Sequence, residues 1–446
     1  MTITRTIETP AAPRDPATIN KLLFVKLMPL LIAAYVLSFL DRTNIALAKH
    51  HLDVDLGISA AAYGLGAGLF FLTYALSEVP SNLIMHKVGA RFWIARIMVT
   101  WGLISAAMAF VQGETSFYVL RLLLGIAEAG LFPGVMLYLT YWFGREQRAR
   151  ATGYFLLGVC FANIIGGPLG AALMELDGVW GWRGWQWMFV LEGLPAVFFA
   201  MVVWKKLPDR PSKAPWLTVK EAEQIEQRLA AESEEGAGHG GHSFKQCLTP
   251  QILLAILVYF CHQITIYTVI FFLPGIIGKY GALSTLQIGL LTSLPWLAAA
   301  VGAIALPRLA TTPARSRQML VTGLLTMAAG LGIASLAGPV VSLLGFCISA
   351  VMFFVVQSII FLYPASRLKG AALAGGLGFV NSCGLLGGFV GPSVMGAIEQ
   401  STGNAMDGMK VVAVILVLAA IAALRLRQGH EDKLEKQSLQ ARRQAA

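Results

Sequence analysis

Twelve long apolar runs, separated by short polar segments, constrain this 446-residue chain more than any other feature. They fall at about residues 27–49, 60–85, 92–111, 116–142, 150–174, 186–204, 251–273, 286–306, 318–336, 339–363, 371–397 and 409–424. Each approaches or exceeds the ~20 residues a helix needs to cross the hydrocarbon of a bilayer. The fold class this implies is an all-α membrane protein with twelve transmembrane helices. Only 13% of the residues are charged and 56% are hydrophobic, whereas a soluble domain carries about 25% charged residues. Too few polar residues remain to cover a water-facing surface. The 46 glycines suit helices that pack backbone to backbone in lipid.

The polar residues carry the topology. One set of loops holds Lys87, Arg91 and Arg96; Arg145, Arg148 and Arg150; Lys205, Lys206 and Arg210; Arg308, Arg315 and Arg317; and Arg367 and Lys369. The alternate loops hold Lys49, Arg183, Lys279 and little else. The basic set is expected on the cytoplasmic side, with both termini there, and the cell's inner (cytoplasmic) membrane is the expected location. The net charge of +10 therefore reads as membrane topology and not as a nucleic-acid partner. The polar start, Met1 to Asn20, lacks the apolar core and small-residue cleavage site of a signal peptide.

The segment from Leu207 to Pro250 is different. It is charged, and Thr218 and Glu221 have capping-box spacing ahead of an acidic amphipathic stretch. A Gly/His piece with His239 and His242 follows and reads as a solvated linker. The expected units are a cytoplasmic segment 1–26, a six-helix half 27–206, a linker 207–250, a second six-helix half 251–426 and a tail 427–446. Gly166-Gly167-Pro168-Leu169-Gly170 in the fifth run is echoed by Gly387-Gly388-Phe389-Val390-Gly391-Pro392 in the eleventh, as a duplicated unit would be. Cys160, Cys247, Cys261, Cys347 and Cys383 are scattered, with no CxxC pair or metal spacing, so neither a disulfide framework nor a metal or cofactor is expected. A receptor would need a sizeable soluble output domain. An intramembrane enzyme would need a nucleophile–base or metal constellation. Neither is present in the sequence, and a transporter is the expectation.

Ionisable residues inside spans cost a few kcal/mol each on insertion scales, so they point to function. Asp41 and Arg42 are adjacent in the first span. Successive helical residues point ~100° apart, so one can face a cavity and the other a neighbouring helix. The alternative is a helix end with both charges in water. Arg121 and Glu128 lie seven residues apart in the fourth span, nearly two turns on one face. Either both look into one cavity, with a desolvated Glu128 as proton carrier, or they form a static ion pair. Tyr74 and Glu78 share a face of the second span, where Tyr74 can hydrogen-bond a ligand; Glu78, two residues before Pro80, serves either the ligand or packing and gating. Glu192 in the sixth span reads as structural. The C-terminal half is almost free of buried charge and offers His262, Gln263, Tyr267, Gln357, Ser358, Asn381 and Ser382. Arginines on one side and neutral donors on the other suit a small, oxygen-rich organic anion. Asp41 and Glu128 would repel an anion unless protonated, so proton and anion binding would favour each other, which is symport.

Several stretches together resemble the major facilitator superfamily, and within it the anion:cation symporter family of sugar-acid, tartrate, phthalate and hydroxyphenylacetate permeases. These are SFLDRTN (38–44), YALSEVPSN (74–82), HKVGARFW (86–93), RLLLGIAEAGLFPG (121–134), GWQWMFVLEGLP (184–195) and GLGFVNSCGLLGGFVGP (376–392). His86 stands where the superfamily's loop usually carries an acid. The resemblance implies the major facilitator fold, two six-helix halves, and proton handling by Asp41 and Glu128. It implies substrate binding by Arg42 and Asn381, with Tyr74 as the second-helix tyrosine. Arg121, Gln263 and Ser358 complete the expected substrate set. The expected function is proton-coupled import of a small organic anion, an aldonate, aldarate or related carboxylate, by a monomer in the lipid bilayer. An anion exchanger or exporter is the alternative.

Overall fold

In lipid, every backbone polar group must be bonded within its own segment, and the chain answers with helices. The computed structural model describes residues 14–236, 247–310, 312–336, 338–368 and 370–429, and no strand occurs among them. The Gly/His piece with His239 and His242, and Lys369, lie outside the described residues. Among the described residues, twelve helical spans are long and apolar enough to cross a membrane: Pro16–Leu56, Ala60–Val88, Ala90–Phe110, Glu114–Thr140, Glu146–Met174, Gly184–Lys206, Pro250–Gly278, Thr285–Leu309, Pro313–Ala334, Pro339–Arg367, Gly375–Thr402 and Ala405–Ala423. They are called spans 1 to 12 in chain order.

Local signals set several boundaries. Span 1 starts where Asp15 accepts from Ala17 N and Thr18 N with Pro16 at the first helical position, and it stops at Gly57 in the left-handed region. Ser284 and Gln287 form a reciprocal capping box at the start of span 8. Large apolar side chains such as Leu76, Leu83, Phe198, Val301, Leu344 and Leu418 stay more than half exposed around the outside. In water such surfaces are a liability; in a bilayer they are the lipid face.

Six spans precede the linker and six follow it. They meet along span 2 with span 11, span 5 with span 8, and span 1 with span 7. At the end away from the basic loops the contact is backbone on backbone. A Cβ on Gly64 would lie 2.3 Å from the Pro392 carbonyl oxygen, and one on Gly167 2.5 Å from that of Gly289. Only glycine admits these approaches. Glu399 adds an ionic contact there, with Lys49 from the first six spans and Lys279 from the second.

The linker is anchored to the first six spans. Trp216 stacks on Trp142 at 5.7 Å between ring centres, Tyr138 donates to the Pro208 carbonyl at 2.7 Å, and the Arg210 guanidinium lies 3.8 Å from the Tyr141 ring centre. The Thr218–Glu221 box forms: Thr218 N donates to Glu221 Oε2 at 2.9 Å and Glu221 N to Thr218 Oγ1 at 3.3 Å. Arg14, just ahead of span 1, clamps the same carboxylate at 2.7 and 2.8 Å and holds it well below the usual carboxylate range.

Candidate functional site

Asp41 and Arg42 diverge as helical geometry requires. Asp41 turns into span 3, where Ser105 Oγ donates to Oδ1 at 2.6 Å and Trp101 Nε1 to Oδ2 at 2.9 Å. Arg42 turns to the centre. Its Nη2 donates to Glu128 Oε1, and Nη1 reaches the Tyr267 hydroxyl of span 7 at 3.5 Å. The guanidinium carbon lies 4.5, 5.0 and 5.3 Å from the ring centres of Phe39, Phe70 and Tyr74. These quadrupoles soften the cost of burying a cation. The pair is almost solvent-free, with 5% of Arg42 and 1% of Glu128 exposed. Neither Asp41 nor Arg42 is at a helix end in water.

Glu128 sits where span 4 breaks. One helix ends at Glu128, Gly130 takes φ +93°, and a second helix runs Leu131–Thr140. Ser81 Oγ donates to the freed Ala129 carbonyl at 2.7 Å and accepts Trp93 Nε1 at 2.9 Å. A side chain at residue 130 would face a strained backbone and a Cβ 2.1 Å from Ser81 Oγ. Ser38 Oγ also donates to Glu128 Oε1, while Oε2 is buried without a partner among the described residues. Irregular backbone at this depth is tolerated because protein surrounds it. Span 10, six spans later, breaks too, between Pro339–Val351 and Phe353–Arg367. There His262 Nε2 lies 2.8 Å from the Phe353 carbonyl oxygen, which gives this buried histidine a structural partner.

The ion pair of Arg121 with Glu128, one of the two sequence alternatives, is not formed. Arg121 spends Nε and Nη2 on the Gly66 and Ala67 carbonyls of span 2, at 3.2 and 3.1 Å. Its Nη1 is buried without a partner, and the Phe70 ring centre lies 5.0 Å from both guanidinium carbons. Glu128 pairs with Arg42 of span 1 instead.

A second polar cluster crosses between the two sets of spans. Glu78 Oε1 accepts from Asn381 Nδ2 at 3.2 Å, and Oε2 accepts from Ser382 Oγ. Tyr259 donates to Asn381 Oδ1 at 3.3 Å, and Gln357 Nε2 donates to Tyr259 at 3.4 Å. Tyr74 is buried beside Arg42, one turn from Glu78. Gln263 is buried, and its Oε1 has no partner. Ser358 is exposed, with its hydroxyl bonded to Phe354 O of its own helix at 2.7 Å; it joins neither cluster.

Sequence reasoning missed Trp101, Ser105, Tyr259 and Glu399. All four act through partners far away in the chain, and no local spacing reveals them. Glu399 alone left a trace, as the one carboxylate of the eleventh span. Glu192 is buried near Asp41 and beside Asn44. Asn44 lines, with Asn163 and Thr292, a cavity of about 20 Å³ between spans 1, 5, 7 and 8, room for roughly one water.

Buried ion pairs and broken helices at the contact between two six-span sets are what membrane transporters use. The model of the Major Facilitator Superfamily matches residues 31–392. The chain belongs to the major facilitator superfamily. It is a multi-pass membrane transporter and not an enzyme. A protein of Agrobacterium vitis named "Putative tartrate transporter" is 40% identical over 423 residues, 94% of each chain. The "Quinolone resistance transporter" of Acinetobacter baumannii is 38% identical over 399 residues, covering 89% of this chain and 92% of that one. Among solved structures, a bacterial homolog of the human lysosomal transporter Spinster, inward-facing and occupied, superposes with a TM-score of 0.72. It is 17% identical and covers 89% of this chain and 95% of the other. That likeness concerns the major facilitator fold alone.

Proposed function

We propose that this transporter imports a small organic anion together with protons, across the bacterial inner membrane, with both termini in the cytoplasm and as a monomer. The observation that carries the reading is the Arg42–Glu128 pair: a buried arginine whose one carboxylate partner is the chain's own. A proton on Glu128 weakens that pair and releases a planar fork suited to a substrate carboxylate. Proton and anion then bind cooperatively, because each removes the obstacle to the other. Asp41, held by Trp101 and Ser105, is the second proton-coupling carboxylate. Arg42, Tyr74, Arg121, Gln263 and Asn381 line the substrate path, Arg121 as a fixed positive charge behind Phe70. Ser358 keeps a role only if its hydroxyl turns from Phe354. The substrate class is a sugar acid, such as an aldonate or aldarate, or a related carboxylate. The kinship with a protein named for tartrate supports this, as does the resemblance to the anion:cation symporter family.

Alternating access around a central site requires the end held by Gly64, Gly396 and the Lys49–Glu399 pair to part in each cycle. The test is a thermal-shift screen of purified protein at pH 5.5 and 7.5 with aldonates, aldarates, tartrate, phthalate and hydroxyphenylacetate, since a binder stabilises the folded state by mass action. Stabilisation by one acid, stronger at low pH and lost in Arg42→Ala, is the expected result. Silence from every acid, with stabilisation by quinolones, would replace this reading with drug export, the alternative that the Acinetobacter relative favours.

A further inference from the structure

Arg42 and Asn381, both assigned to substrate, are each occupied by one of the protein's own carboxylates. Arg42 holds Glu128. Asn381 and Ser382 hold Glu78, one donor on each oxygen, as in bidentate recognition of a carboxylate. Glu78 is 2% exposed, and among the described residues neither oxygen is paired with a cation at ion-pair distance. Tyr259 holds the Asn381 carbonyl oxygen, so its NH₂ is left to face the acid, and Gln357 holds Tyr259 in turn. Span 2 supplies the carboxylate and span 11 the donors, so the contact crosses two bodies that must move apart in transport. When they part, two half-buried donors lose their acceptor, a loss that another carboxylate in its place makes good.

We infer that Glu78 and Glu128 stand in for the two carboxylates of a dicarboxylate substrate, one end binding Arg42 and the other binding Asn381 and Ser382. This rests on the organic-anion reading above and narrows it from acids in general to diacids. A site filled by its own carboxylate is not competent to bind, and apparent affinity falls by the competent fraction. Glu78 is thus an internal competitor for one end of the ligand.

The experiment measures binding to the full-length protein by calorimetry, at one pH, for matched pairs that differ by one carboxylate: tartrate against its monoamide, and galactarate against galactonate. Wild type is expected to prefer the diacid. Glu78→Gln should bind the diacid about tenfold tighter, as expected from releasing a charged competitor, with little change for the monoacid. Ser382→Ala should erode the diacid preference, and it decides the question by itself if Glu78→Gln does not fold, which the melting temperature reports. Equal shifts for both members of a pair, or a wild-type preference for the monoacid, overturn the dicarboxylate inference and leave the anion reading standing. Failure of wild type to bind any of the four acids overturns both.

Discussion

Arg42 of the first span and Glu128 of the fourth form an ion pair that is almost wholly shielded from solvent, and one oxygen of Glu128 is left without a partner. A buried pair of this kind is weak evidence for stability, because desolvation offsets much of the attraction. Its value lies in being breakable by a proton or by a competing anion. Glu128→Gln should therefore keep substrate binding and exchange while losing acceleration by a pH gradient. Counterflow and gradient-driven uptake, measured in the same proteoliposomes, separate the two.

Removing one partner of the pair leaves a buried charge alone, at a cost of about 3–5 kcal/mol. Arg42→Ala should lower the melting temperature clearly, and Arg42→Ala combined with Glu128→Gln should recover part of the loss. Equal melting temperatures for the single and double variants would mean that the pair does not form in the membrane.

The end away from the basic loops closes through glycine. A Cβ on Gly396 would sit 2.3 Å from the Ala60 carbonyl oxygen and 2.9 Å from the Gly64 Cα. Gly396→Leu should hold this end apart, abolish transport and spare binding. In a background without native cysteines, a cysteine at Asn44 should then react faster with an impermeant thiol reagent from the Lys49 side.

Arg14 lowers the affinity of Glu221 for its proton. A carboxylate depressed in the folded state contributes stability above its unfolded value, near ~4.3, and loses it as pH falls through the folded value. The difference in melting temperature between wild type and Glu221→Gln should be level from pH 7 to about pH 5. It should shrink only in stronger acid.

The spans were legible because a bilayer imposes one length on every crossing helix. The Thr218–Glu221 box was legible because its two residues are neighbours in sequence. The separate directions of Asp41 and Arg42 follow from helical rotation alone. What stayed hidden is non-local or irregular. Gly130 sits unmarked inside the RLLLGIAEAGLFPG stretch, although its φ of +93° marks a break in span 4. The spacing of Arg121 and Glu128 left a shared cavity and an ion pair both open, because seven-residue spacing takes no account of the Gly66 and Ala67 carbonyls on another helix. Glu78 and Asn381 are 303 residues apart, and no spacing rule joins them.

The central claim is proton-coupled transport of an organic anion, and uptake of labelled tartrate and galactonate into proteoliposomes tests it most directly. An acid-outside gradient should drive accumulation of at least one of them above equilibrium, and collapsing the gradient with a protonophore should abolish it. Equilibration at the same rate with and without the gradient, or no entry of either acid, would contradict the account.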